Sequence, residues 1–162
     1  DESTFYYTST VASEQLISRK SEIMDNVIPA SSSTMVRNLY RLAEMLDKDD
    51  YLAIADQVFA NVFPHIKSYG SAYSNWAIQL LDLHFGVWEI AITGDDGLKW
   101  REELDKYYIP NKITLGGTNS KLPLLEHKDG AVLKAYLCQD KTCSLPQPSI
   151  ANIIELINNK QG

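Results

Sequence analysis

The sequence predicts an α+β fold in which antiparallel helical hairpins are followed by a small, mainly parallel three-stranded α/β segment. Three observations carry this reading. Apolar residues recur at helical spacing through residues 33–84. At Gly86 the pattern changes to short runs rich in apolar and β-branched residues. Those runs alternate with one helical stretch in the order strand, helix, strand, which favours a parallel crossover.

The first thirty residues lack a helical period. Phe5 to Thr8 and Leu16 to Arg19 have strand-forming chemistry and read as a hairpin or extended arm, which needs a partner because an isolated two-stranded hairpin is marginal in water. From Ser33, the residues Val36, Leu39, Tyr40, Ala43 and Leu46 fall on one helical face, with Ser32 or Ser33 as the N-cap. The turn Asp47 to Asp50 leads to a second helix with Tyr51, Ile54, Ala55, Val58, Phe59 and Val62 as its stripe and Pro64 as its stop. A third helix over residues 71–84 carries Tyr73, Trp76, Ala77, Leu80 and Leu81, and Gly86 terminates it. These helix pairs have the length of tetratricopeptide repeats, but no second copy follows at a fixed period.

Beyond Gly86, residues 87–93 read as a strand and Gly94-Asp95-Asp96-Gly97 as a turn. A helix over 98–108, a strand over 112–115, a polar stretch, a strand over 131–137 and a final helix over 149–157 complete the order. The chain thus divides into a helical segment with its N-terminal arm, 1–86, and a small α/β segment, 87–162, expected to pack on it.

Composition narrows the function. The chain has 162 residues, 15 Lys and Arg against 21 Asp and Glu, and a net charge of −6. With a pI near 5.0 and scattered cations it offers no footprint for a phosphate backbone, so nucleic acid is not an expected partner. No apolar run reaches the roughly 18 to 20 residues of a membrane-spanning helix, and no membrane partner is expected. The start at Asp1, without Met or a leader pattern, reads as a cut; a cytoplasmic location is expected, with any targeting signal lying upstream.

Few motifs carry chemistry. Gly94-Asp95-Asp96-Gly97 sits between a strand and a helix, where open α/β sheets bind ligands, but its aspartates repel phosphate and it reads as a turn with an Asp helix cap. No Gly-rich phosphate loop, nucleophile elbow or zinc-protease helix is present, and no cofactor or metal is expected. His65, His84 and His127 share no face. Cys138 and Cys143 have the spacing C-x4-C, compatible with reduced thiols, a local disulfide or a metal or catalytic role, although the redox C-x-x-C pattern and a four-ligand zinc set are both missing.

The richest polar constellation runs from Arg19 to Ser33. Its carboxylates, Glu22 and Asp25, are the candidate catalytic pair, suited to general acid and base work on a sugar. The competing reading is that Asp25 and the serines cap turns. Arg19, Tyr6, Tyr7 and Ser32 are the candidate substrate-binding residues, the tyrosines stacking on a sugar ring.

The order of the arm, residues 16–22, Asp25 to Ser33, Asn38-Leu39-Tyr40-Arg41-Leu42 and the end Ala135-Tyr136-Leu137-Cys138 through Thr142-Cys143-Ser144-Leu145-Pro146 resembles a known family. It is similar to the C-terminal region of thioredoxin-domain-containing proteins of the spermatogenesis-associated family. Trp88 to Gly94 and Tyr108 to Lys112 resemble the intervening segments, so the likeness covers nearly the whole chain. It implies a longer parent with an N-terminal thioredoxin-like domain and an α/α toroid similar to six-hairpin glycosidases and N-acylglucosamine epimerases. This chain would hold the last toroid helices and a terminal α/β appendage. Redox activity does not carry over, because the thioredoxin motif is not in this sequence. The family segment runs Asp-x-x-x-Pro-Ser-x-Asn-Ser; Asp25 and Pro29 match, whereas Ala30 and Ser32 replace the Ser and the Asn.

Two functions are therefore expected to compete. One is a fragment of a carbohydrate-processing or carbohydrate-binding parent, inactive alone. The other is a non-catalytic structural or protein-interaction module. The expected partners are a carbohydrate ligand, the remainder of the parent and a second copy of the chain.

Overall fold

The backbone turns helical at Ser31, close to where the helical period of the sequence begins. The computed structural model describes residues 5, 20–117, 121–128 and 130–161. The expected N-terminal hairpin lies outside the described residues except for Phe5, which is half-buried and packs on the helical core. By its internal contacts the chain forms two compact units, Asp1–His84 and Phe85–Gly162.

The first unit is helical. Helix α1, Ser31–Leu46, buries Val36, Tyr40 and Ala43, and Asp47 ends it in the left-handed region at φ 52°. Helix α2, Asp49–Ser68, has Asp49 and Asp50 in its first turn, where negative charge suits the helix dipole. The sequence expectation that Pro64 stops this helix is wrong: Pro64 lies inside α2, close enough to the end for the helix to finish with Tyr69 N–H donating to His65 O at 3.2 Å. A 3-10 turn, Gly70–Tyr73, leads into α3, Ser74–Phe85. Val36, Tyr40, Ala55, Val58, Phe59, Val62, Tyr73 and Trp76 make one buried cluster. The Tyr40 hydroxyl donates to Asp56, which joins α1 to α2.

The second unit is a sheet with helices. Strand β1, Trp88–Thr93, is buried along its whole length, as a central strand should be. Helix α4 is Gly97–Leu104, β2 is Lys112–Gly117, β3 is Lys134–Gln139, β4 is Thr142–Cys143 and α5 is Ile150–Gln161. The sheet order is β2-β1-β3-β4. Trp88, Ile90, Ile92, Leu104, Leu137, Ile150, Ile153 and Ile157 form a second buried cluster.

This sheet corrects the expected three-stranded, mainly parallel segment. It is four-stranded and mixed: β1 and β2 are parallel, while β1 and β3, and β3 and β4, are antiparallel. The physical reason is the connection. A parallel return needs a crossover of a dozen residues or more, usually a helix, and α4 supplies it between β1 and β2. Among the described residues of the connection to β3 there is no helix of that kind, only the 3-10 turn Pro123–Leu125, and the chain comes back with Ile90 opposite Leu137 and Ile92 opposite Ala135. A tight turn then adds β4. Asp140 and Lys141 sit there at φ 50° and 62°, the paired left-handed conformation of a two-residue hairpin turn.

Gly94, at the end of β1, requires glycine. Its φ is +100°, and a Cβ there would lie 2.6 Å from the Val132 carbonyl. Among the described residues no helix is long and apolar enough to cross a membrane.

Candidate functional site

Asp25 lies in the irregular segment before α1 and is 8% exposed. Its N–H donates to Ala72 O at 2.8 Å. One carboxylate oxygen, Oδ1, accepts from Ala30 N–H at 3.0 Å and from the Ser33 hydroxyl at 2.8 Å. The other, Oδ2, accepts from Asn75 N–H at 2.9 Å. Ala30 is the N-cap residue of α1 and has no capping side chain, and Asn75 is in the first turn of α3. One carboxylate therefore serves the amino ends of two helices, where unpaired N–H groups and the positive end of the dipole both favour a negative charge. Nearby, the Trp76 indole N–H donates to Ile23 O at 2.8 Å and pins the same segment to α3.

The other candidates are placed differently. Glu22 is half-buried and engaged, and its carbonyl accepts from Ser32 N–H at 3.4 Å. Ser32 is fully buried and its hydroxyl has no hydrogen-bond partner, so it does not face a ligand at the surface. Arg19, Tyr6 and Tyr7 lie outside the described residues. A carboxylate has about four acceptor positions, and three on Asp25 are taken by the chain's own donors.

A second polar cluster escaped the sequence reading. Helix α3 buries Trp76, Gln79 and Asp82, three apart along one face, rather than the expected stripe through Leu81, which is 55% exposed. Arg37 Nε and Arg41 Nη2 of α1 approach Asp82 Oδ2 at 3.9 and 4.0 Å. Burial raises the Asp82 carboxyl above its ordinary range, against the pull of both guanidiniums. Burial, then the neighbouring Arg37, lowers Arg41. The only sequence signal for this cluster is the period itself: Gln79 and Asp82 share the Trp76 face.

In the second unit, a cleft of about 1010 Å³ lies between β2, α4 and the Gly94–Gly97 turn. Its cations are paired internally: Lys99 with Asp96 at 3.0 Å, Arg101 with Asp105 at 3.1 Å and Lys112 with Asp105 at 3.4 Å. Asp96 is the α4 N-cap residue by position, but its side chain makes no capping bond. Cys138 and Cys143 face each other across the β3–β4 hairpin and form a disulfide. Among the described residues no three His, Cys, Asp or Glu side chains are grouped to hold a metal ion.

Comparison with known proteins adds one relative. Over 164 aligned residues the chain is 24% identical to an uncharacterized Caenorhabditis elegans protein, B0495.5. The alignment covers 94% of this chain and 22% of that protein, so the chain spans about a fifth of its relative's length. No family model matches the chain. No solved structure matches it either.

Proposed function

We propose that this chain is a non-catalytic structural and protein-interaction module of a longer protein. The observation that carries the reading is the state of Asp25, whose carboxylate is held by Ala30, Ser33 and Asn75. A general acid or base must exchange a proton with a substrate atom within hydrogen-bond reach, and the groups in reach of Asp25 are two backbone amides and a serine. The resemblance to the C-terminal region of thioredoxin-domain-containing proteins of the spermatogenesis-associated family agrees with such a role, since there too the chain is one part of a larger whole. The carbohydrate-processing reading asks for a free carboxylate pair, which Asp25 does not supply.

Isothermal titration of the chain with a panel of mono- and disaccharides, alongside Asp25→Asn and Ser33→Ala, tests the reading. The expected result is no saturable sugar binding by any of the three. Saturable binding by the wild type, lost in Asp25→Asn while the fold is retained, would return Asp25 to a ligand site and overturn the proposal.

A further inference from the structure

Arg37 and Arg41 lie one turn apart on α1, and Gln79 and Asp82 lie one turn apart on the buried face of α3. The two pairs meet, since both guanidiniums approach Asp82 Oδ2. They do not bond to it, because 3.9 and 4.0 Å are beyond the reach of an N–H to oxygen hydrogen bond. Arg37 Nε and Arg41 Nε are buried, and neither has an acceptor. Gln79 is 3% exposed, and its Oε1 has no donor. Among the described residues seven buried side-chain atoms lack a partner, and three of them belong to this one cluster. Folded domains leave few such atoms, so three together call for an outside group to complete them.

We propose that this cluster binds a small hydroxycarboxylate, with the carboxylate bridging Arg37 and Arg41 and a hydroxyl donating to Gln79 Oε1. The chemistry follows from what these side chains still need. A guanidinium only donates, so the occupant must bring acceptor oxygens, and the planar fork of Arg matches a carboxylate. Gln79 Oε1 only accepts, so the occupant must also carry an O–H. Charge selects a monoanion: two guanidiniums against the Asp82 carboxylate leave one positive charge in excess, which suits a carboxylate better than a doubly charged phosphate. Among the described residues the charges acting on Arg41 are those of Arg37 and Asp82, so no second carboxylate of the chain already fills the place. The Arg37 and Arg41 side chains are 35% and 30% exposed, which leaves the cluster open to solution, while Gln79 and Asp82 lie deeper. The inference goes beyond the module reading above, since a module without catalysis can still hold a ligand.

Titration of the 162-residue chain, followed by NMR at the Arg Nε–H and Gln79 side-chain amide signals, tests the proposal. The probes are glycerate, propionate, which lacks the hydroxyls, glycerol, which lacks the carboxylate, and inorganic phosphate. Glycerate is expected to bind saturably, to shift the Arg37, Arg41 and Gln79 signals, and to bind about tenfold more tightly than the other three. Arg41→Ala and Gln79→Met should each weaken glycerate by about tenfold. Arg101→Ala removes the same charge from the second unit and should bind glycerate as the wild type does. Gln79→Met removes an acceptor that has no bond to lose, so it retains the fold even where Arg41→Ala does not, and signal dispersion checks both. Absence of saturable glycerate binding by the wild type would overturn the proposal, because water would then complete the cluster. So would equal affinity for glycerate and propionate, tighter binding of phosphate, or unchanged glycerate binding in Gln79→Met. Binding of neutral sugars that depends on Asp25 would defeat the module reading instead, and the glycerate titration does not report on it.

Discussion

Removing the Asp25 carboxylate should cost the helical unit a large part of its stability. In Asp25→Ala, Ala30 N–H, Ser33 Oγ and Asn75 N–H all lose their acceptor in a site that is 8% exposed. Hydrogen bonds to a charged group contribute about 1.5–3 kcal/mol each, but three bonds to one carboxylate are not additive, and Ser33 retains a bond to Ala30 O at 3.0 Å. A loss of about 4 kcal/mol is expected, a large part of the roughly 5–15 kcal/mol that holds a typical domain. Asp25→Asn keeps one carbonyl acceptor but turns an amide toward a donor, so it should lose about half as much. Urea unfolding followed by Trp76 fluorescence is the assay, because Trp76 is buried in this unit and bonded to Ile23 beside Asp25. A loss below about 1 kcal/mol in Asp25→Ala would refute the reasoning, since a carboxylate facing solvent or a ligand has little to lose on folding.

Three further outcomes are expected. Asp82 binds its proton more tightly in the folded chain than in the unfolded one, because burial raises its pKa. Its contribution is therefore fully present at low pH and is lost as pH rises from the ordinary carboxylate range through the raised folded value. The stability of Asp82→Asn relative to wild type should accordingly grow with pH across that window, and a difference that shrinks would contradict the sign. Gly94→Ala should destabilise the second unit by about 3 kcal/mol in thermal unfolding, since it combines a left-handed φ with a backbone clash at Val132. Cys143→Ser, or reduction of the disulfide, should lower the stability of the same unit by about 2 kcal/mol, the loop-closure value for so short a ring.

The helices were legible because burial follows the 3.6-residue period, and α1 and α2 present the faces that Val36, Tyr40, Val58 and Val62 mark out. Pro64 misled because a proline near a helix end removes little that the last turn needs. The α3 face was misassigned because local hydrophobicity points to Leu81, whereas Asp82 is turned inward toward Arg37 and Arg41, far away in sequence. The direction of β3 was not readable from its residues either. Alternation marks a strand and leaves open which way it runs, and here the long connection through Pro123–Leu125 sets it. β4 was missed because it has two residues and its turn, Asp140-Lys141, lacks the usual glycine. At the candidate site, the polar segment and Asp25 stood out in the sequence, but the bond to Asn75 spans fifty positions, and no local pattern could show it.

The central claim, that Asp25 is a structural acceptor for two helix ends, is tested most directly by hydrogen exchange at the two amides that donate to it, Ala30 and Asn75. Both stand at helix starts, where amides without a cap exchange at rates close to those of an open chain. In the wild type both should be protected, and in Asp25→Ala both should exchange fast while amides in the middle of α2 slow the label as before. Rapid exchange at Ala30 and Asn75 in the wild type would contradict the account, because the carboxylate would then be free to meet a ligand.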